Sequence, residues 1–390
     1  MTVPPQTPPA APGADVEIVG AEDLAGIESA WRALFVEAVE PNPFLGPDFL
    51  IPLAALRGGR LRVALAWRRA GGGRSLSALM PFVLEPGLPL LRPPLLRAFA
   101  DPLVSNATPL IAAGRADEVA AVLLDGLARL HPGAVLLLDG IRLDGPAATA
   151  LAATRPPSVD VARFERAAIR AGAGLDAYLE ERVPGKRVRE LRRCERRLAE
   201  AGPVTRETLW GAAARPAVEA FLALEASGWK GRQGTALASR PADLAFARAA
   251  LSGATPAVAA DLLTVAGRPV AAAVHLLAGD EAVAFKCAYD EAWAKASPGA
   301  VLDLHTLETV LGSGRIGLMD SGAQPGHPVE ALWRERIAYG DRLVALDRRT
   351  ASDELEALAR RLAGLSAMAS TAKGIVKRAL GRKSTALRSA

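Results

Sequence analysis

The chain has 390 residues, enough for two or three domains that each bury a core. Half of the residues are hydrophobic, yet only 5% are aromatic, and Cys194 and Cys287 are the only cysteines, which excludes a disulfide framework or a cysteine-rich zinc site. The net charge of +5 does not describe a nucleic-acid-binding body, because eight basic and no acidic residues follow Glu356 and residues 1–356 therefore sum to about −3.

Residues 1–14 are rich in Pro and Ala and predict a disordered start, without the basic and apolar regions of a signal peptide. Asp15–Val19 predicts a strand. Asp23–Val39 predicts a helix with Leu24, Ile27, Trp31, Leu34 and Phe35 on one face. Pro47–Leu56 predicts a second helix, and Leu61–Trp67 with Ser75–Glu85 a hairpin around Gly71–Gly73. Asp101–Ile111 is irregular. Ala116–Leu130 predicts a helix and Ala134–Asp139 a fully apolar strand.

The same order then recurs. Lys186–Ala201 predicts a helix with Val188, Leu191 and Leu198 inward and its arginines outward, where i, i+3 and i+4 pairing with Glu190, Glu195 and Glu200 would neutralise a solvated face. Val204–Thr208 predicts a strand, and Arg215–Ser227 and Ala242–Leu251 helices. Asp261–Val265 and Pro269–Leu277 predict a hairpin, Ala282–Tyr289 a buried strand, the stretch after Ser297 a helix, and Ile316–Met319 a strand. Val329–Ile337 and Leu343–Leu346 complete the second set. Two copies of one α/β unit follow from this order of elements, at 15–165 and 166–350, with a basic tail at 351–390. In the tail, Leu355, Leu358, Leu362 and Leu365 form a stripe that could dock on the body. Residues 373–382 read either as a short helix lying on an anionic leaflet or as a soluble basic tail.

Chemistry concentrates at Ala284–Asp320. Ser297 is placed to cap the helix through its hydroxyl, and Pro298 suits the first helical position. The free N–H groups of Gly299, Ala300 and Val301 then form an anion site, to which Lys295 adds a charge. Asp290, at the end of the preceding strand, is the first candidate for a general base, against a solvated turn carboxylate. His275 reads as a base or a half-buried structural histidine, Glu225 as a base or an exposed helix residue, and Tyr289 as a proton donor or a packing aromatic. Lys286, in an apolar strand, either pairs with a carboxylate such as Asp290 or Asp320 or faces a ligand. Lys230, Gly231 and Gly234 form a cationic loop that suits a phosphate or an acidic headgroup, or a surface turn. Four histidines without ligand-like spacing predict no metal, and no apolar run is long enough to span a bilayer.

Taken together, Trp31 with Pro43-Phe44 and Phe49, the basic helix GKRVRELRRCERRLAEAG, LEASGWKGRQGTAL (Leu224–Leu237), AYDEAWAKASPG (Ala288–Gly299) and DSGAQPGHPVEALWRER (Asp320–Arg336) resemble the cellulose-biosynthesis-type (CelD/BcsL-like) acetyltransferases. These are members of the GNAT superfamily, similar in double-domain layout to Fem peptidyltransferases. The resemblance covers about Trp31 to Leu346. It implies an α/β (α+β) fold of two tandem GNAT-like units, each a mixed, mostly antiparallel sheet flanked by helices. It also implies transfer of an acyl group from a thioester to an amine. The usual pyrophosphate signature Gln/Arg-x-x-Gly-x-Gly/Ala is absent, and Ser297-Pro298-Gly299 stands in its place.

The expected function is an acyl-CoA-dependent N-acyltransferase. The expected acceptor is a membrane-associated amine such as a sphingoid base, bound in the cleft between units. That role would be similar to a bacterial ceramide synthase. Expected site residues are Asp290, His275, Glu225 and Tyr289 for catalysis, Lys295, Ser297, Gly299, Ala300 and Val301 for the donor, and Trp229, Lys230, Lys286 and Asp320 for the acceptor. The co-substrate is acyl-CoA, with no permanent cofactor and no nucleic acid, in the cytoplasm or peripheral on the cytoplasmic face of the inner membrane. Acylation of an exopolysaccharide or envelope precursor, and a non-catalytic accessory role in envelope polysaccharide synthesis, are the alternatives.

Overall fold

The computed structural model describes residues 15–70, 73–87, 93–99, 101–172, 174–253 and 257–365. The segments read as a disordered start (1–14) and a membrane-facing helix (373–382) lie outside the described residues. The first unit comprises β1 (Asp15–Gly20), α1 (Glu28–Glu37), α2 (Pro47–Arg57), β2 (Leu61–Ala70), β3 (Gly73–Glu85), β4 (Leu95–Ala98), β5 (Leu110–Ile111), α3 (Ala116–Leu130), β6 (Val135–Arg142), α4 (Pro146–Ala153) and β7 (Ser158–Arg170). The second comprises α5 (Leu175–Arg182), α6 (Gly185–Ala199), β8 (Val204–Trp210), α7 (Arg215–Ser227), α8 (Trp229–Arg232), α9 (Pro241–Ala250), β9 (Val258–Val265), β10 (Arg268–Ala278), β11 (Glu281–Tyr289), α10 (Pro298–Gly312), β12 (Leu318–Asp320) and β13 (Glu335–Ala345). A further helix covers 352–365.

One sheet runs through both units in the order β1-β2-β3-β4-β6-β13-β7-β12-β11-β10-β9-β8. The order is nearly palindromic. Each half carries one parallel pair, β4 with β6 and β11 with β12, among antiparallel neighbours. The last strand of each unit crosses the midline: β13 pairs with β6 of the first unit, and β7 pairs with β12 of the second. The two lie side by side over a long antiparallel register. The boundary read at 165/166 therefore falls inside β7. The two segments read at 329–337 and 343–346 are a 3₁₀ turn (Pro328–Ala331) followed by one continuous strand, β13.

Helix spacing explains the layers. Val119, Leu123 and Leu127 put one face of α3 against β1, β2 and β3 in a core that also takes in Val344 of β13. On the opposite face α1 and α2 share a core with α7 and α9 of the second unit. Phe49 is its pivot, packing edge-on to Phe44, Phe246 and Phe285 at 5.3, 5.5 and 5.7 Å between ring centroids. α10 covers the other side of the second unit through Val301, Leu302, Leu304 and Leu307. Leu355, Leu358 and Leu362 dock the final helix on β6 and β13, whereas Leu365 stays 62% exposed.

Charge is also buried between the units. Glu40 is 1% exposed, and its Oε2 accepts the Ala147 N–H at 3.1 Å while Oε1 has no hydrogen-bond partner among the described residues. Arg142 bridges Asp144 and, at 3.1 Å, Glu281 of β11. Burial pushes the Glu40 carboxyl up to about 7, against the Ala147 N–H and Arg142, which pull it down. The folded state thus holds a proton that the unfolded state has lost. Stability from this group is complete below the unfolded value near 4.5 and disappears as pH rises through about 7. Wild type is expected to lose about 2 kcal/mol more than Glu40→Gln between pH 5 and pH 7.5. Chemical denaturation of both proteins at the two pH values measures this, and parallel pH curves would contradict it.

Candidate functional site

The site grows from a strand that loses its neighbour. β11 pairs with β12 only at Glu281–Leu318, Ala282–Met319 and Val283–Asp320. Beyond that point the Ser321 N–H donates to the Ala167 carbonyl, drawing the chain away from β11. The edge of β11 from Ala284 to Tyr289 therefore faces a wedge with no strand partner among the described residues. A register shift opposite Val274/His275 leaves Phe285 as an extra residue in β11, a β-bulge that increases the local bend.

The matching wedge of the first unit is filled. The Ala107 N–H donates to the Gly140 carbonyl at 3.2 Å, and Asn42 Nδ2 donates to the carbonyls of Asn106 and Thr108 at 3.1 and 2.7 Å. The irregular stretch around Asp101–Ile111 thus plugs one wedge with its own backbone and leaves the second wedge as the open one.

Gly322 marks the apex of the open wedge. It has φ of +61°, and a Cβ there would lie 2.7 Å from the Ala284 carbonyl oxygen. Gly322→Ala is expected to shift the chain after β12 and cut kcat/KM by about 10²-fold, the scale of a 1 Å misplacement of reacting groups. Steady-state kinetics beside a melting curve reads this, and unchanged kinetics in the folded variant would remove the apex from the site.

On the α7 side, Glu225 is 3% exposed and fully engaged: Oε1 accepts Lys230 Nζ at 2.8 Å and Oε2 accepts the Leu237 N–H at 2.8 Å. Glu225 thereby anchors the Trp229–Leu237 loop, and neither the base nor the exposed-residue reading describes it. Gly231 is required by space, since a Cβ would meet the Ala226 carbonyl oxygen at 1.7 Å. Glu291 closes the loop against β11 by accepting the Trp229 N–H at 2.7 Å and Arg232 at 2.6 Å. A small pocket of about 60 Å³ remains here, lined by Trp229, Lys230, Cys287, Tyr289 and Glu291 among others. Lys286 pairs with neither Asp290 nor Asp320. Burial lowers its ammonium pKa, Lys230 lowers it further, and Glu225 opposes both.

The start of α10 departs from the expected anion site. Ser297 adopts the left-handed region, φ 46° and ψ 56°, and its hydroxyl makes no cap bond. Its carbonyl accepts the Ala300 N–H at 3.0 Å and the Val301 N–H at 3.3 Å, and Val301 is buried. These two amides are therefore spent inside the helix. Of the three, only the Gly299 N–H has no hydrogen bond among the described residues, and a Cβ at Gly299 would stand 3.7 Å from the Tyr289 ring. The Lys295 side chain is exposed, while its carbonyl accepts Arg197 at 2.9 Å.

Two further candidates, His275 and Asp320, are placed elsewhere than expected, whereas Asp290 ends β11 as the sequence suggests. His275 is buried under α10, with Nε2 2.8 Å from Asp261, which also accepts the hydroxyls of Thr208 and Thr306. It belongs to a buried polar layer and lines neither the small pocket nor the larger cleft. Asp320 is 4% exposed and locked between Arg166 at 3.3 Å and the Gly322 N–H at 2.9 Å. It braces the wedge and cannot meet an acceptor. Asp290 Oδ1 accepts the Ala292 N–H at 3.0 Å, capping the turn after β11. Asp290 is partly exposed at the end of β11. Cys287 and Glu291 were not singled out; the only signal was their position beside Tyr289 and Asp290.

The cleft between units exists, at about 550 Å³, lined by Phe35, Val36, Phe49, Trp210 and Leu276 with Arg315 at its edge. It sits by the β10–β11 turn, at the opposite end of β11 from Tyr289.

Comparison with known proteins follows this geometry. Residues 185–325 match the family described as acetyltransferase (GNAT) domain. This segment is a GNAT-type acyltransferase domain. It spans α6 to just beyond β12 and so contains the open wedge. A crystal structure of FemX matches with a TM-score of 0.54 at 10% identity, covering 85% of this chain and 98% of its own. The C-terminal domain of a putative lysylphosphatidylglycerol synthetase from Agrobacterium fabrum matches with a TM-score of 0.51 at 13% identity, covering 87% and 96%. At these identities the likeness concerns the fold, and it spans both halves of the GNAT-like sheet. Among curated proteins no match is found. No helix of the described residues is long and apolar enough to cross a membrane.

Proposed function

We propose that the protein is an N-acyltransferase whose second unit holds a thioester donor, as acyl-CoA, in the wedge between β11 and β12. The observation that supports this most directly is the one-sided loss of pairing along Ala284–Tyr289, in a molecule whose equivalent wedge is plugged. An unpaired strand edge offers N–H groups to a thioester carbonyl, and such donors stabilise the oxyanion as it forms. The acceptor nitrogen attacks the carbonyl carbon, the N–C bond forms and the C–S bond breaks. Asp290 takes the proton the amine releases, and the departing thiolate is protonated through Tyr289, which is 41% exposed beside Gly299.

For the acceptor we favour a lipid amine such as a sphingoid base, within the CelD/BcsL-like group that the sequence resembles. The mostly apolar 550 Å³ cleft between units supports a long-chain substrate. One of the fold neighbours is named for a lysylphosphatidylglycerol synthetase, a name that also concerns a lipid. The test is thiol release and amide formation with acyl-CoA and a panel of long-chain bases, amino sugars and peptides. Amide formation with long-chain bases is expected. A preference for soluble amines rejects the lipid acceptor, and no thiol release with any amine rejects the transferase.

A further inference from the structure

The cationic face of α6 is not neutralised as its sequence suggests. Seven basic side chains stand against two acidic ones in Gly185–Ala199. Arg187 pairs with Glu190 at 3.1 Å, but Glu195 turns to Arg206 of β8 at 2.6 Å. Leu191, Cys194 and Leu198 bury one side of the helix. Arg189, Arg192, Arg193 and Arg196 fill the other at i, i+3, i+4 and i+7, all exposed and without an ion pair or hydrogen bond among the described residues. Like charges at i, i+4 destabilise a helix by about 0.2–0.5 kcal/mol per pair. Residues 1–356 are otherwise mildly acidic, so this patch is a local exception that folding does not explain.

Its location gives it a use. α6 packs on α10 and on the Glu291–Ala296 turn, and Arg197 of its last turn donates to the Lys295 carbonyl at 2.9 Å. α6 therefore lies beside the start of α10 with the patch on its outward side, and at that start the expected diphosphate site has lost two of its three amides to the Ser297 carbonyl. One free amide suits a single phosphate better than a diphosphate. A phosphopantetheine arm on a carrier protein carries one phosphate, whereas coenzyme A adds a second and a nucleotide. Four guanidinium groups spread over about 10 Å of helix match one acidic helix of a small protein. A nucleic-acid duplex needs a longer basic surface.

We propose that the exposed face of α6 docks an acidic carrier protein that delivers the acyl group as a phosphopantetheine thioester. This rests on the transferase reading above and refines its donor. The probe is a purified bacterial acyl carrier protein bearing a hexadecanoyl phosphopantetheine arm, titrated by calorimetry into the full chain. The variant R189Q/R192Q/R193Q/R196Q removes the like-charge repulsion, so it is expected to fold at least as stably, which a melting curve checks. Carrier binding is expected to weaken at least 10-fold in the variant and with added salt, while turnover of acyl-CoA stays within two-fold. No carrier binding, or binding indifferent to the four substitutions, overturns the proposal. So does arginine-dependent binding of phosphatidylglycerol vesicles or bulk tRNA with none of the carrier. If acyl-CoA is turned over and the carrier is ignored, only this inference fails. If neither thioester is used with any amine, the transferase reading fails as well.

Discussion

Arg166→Leu is expected to cost about 3–5 kcal/mol of stability, because it strands the Asp320 carboxylate in the middle of the sheet. Arg166 and Asp320 side chains are 2% and 5% exposed, 3.3 Å apart, and belong to β7 and β12. The guanidinium also lies 3.9 Å from the centre of the Tyr339 ring of β13, so one cation ties together the strands that cross between units. Its Nε has no hydrogen-bond partner among the described residues, so the site is already costly and tolerates little further loss. Urea denaturation measures the change. Replacing both partners, Arg166→Leu with Asp320→Leu, is expected to recover part of the loss, since no charge is then left alone. A single variant as stable as wild type would show that water or a shifted strand satisfies Asp320, and that the pair does not hold the midline.

Asp290→Asn is expected to lower kcat by about 10²-fold, the lower end of what a general base supplies, with unchanged stability. The substitution is chosen because asparagine Oδ1 can still accept the Ala292 N–H, so the turn after β11 keeps its cap. What disappears is the carboxylate charge. Kinetics beside a melting curve separate the two roles: loss of a base lowers kcat at unchanged stability, whereas loss of a turn cap lowers stability. An Asn variant with wild-type kcat would reduce Asp290 to a turn residue. By contrast Glu225→Gln acts on the loop, because both oxygens of Glu225 are already bound. It is expected to show in protease sensitivity of the Trp229–Leu237 loop before it shows in kcat.

Legibility in the sequence tracks how local the cause is. α3 and α7 match their expected ends because apolar spacing within each segment decides them. The β9–β10 hairpin was readable because Ala266-Gly267 supplies the positive φ values, 49° and 75°, that a tight two-residue turn needs. β7 was missed because its middle is Glu165-Arg166, which reads as surface until Asp320 arrives from 154 residues away. α6 was misread in a different way. Its helical pattern was plain, but the partner of Glu195 lies on another strand and not on the next turn. Of the candidate site, the Trp-Lys-Gly turn and the strand before Asp290 could be located, whereas the state of each amide and carboxylate could not.

The amino-acid order alone determined two similar α/β units, their helices, and a polar junction between a strand and a helix near residue 297, since each depends on neighbours within a turn or a pleat. Only the tertiary structure decided that the units exchange their last strands, that one wedge is plugged and the other open, and that Ser297 spends two amides the donor was expected to use. Those outcomes depend on which groups find partners first, and hydrogen bonds to distant backbone leave no periodicity in a sequence.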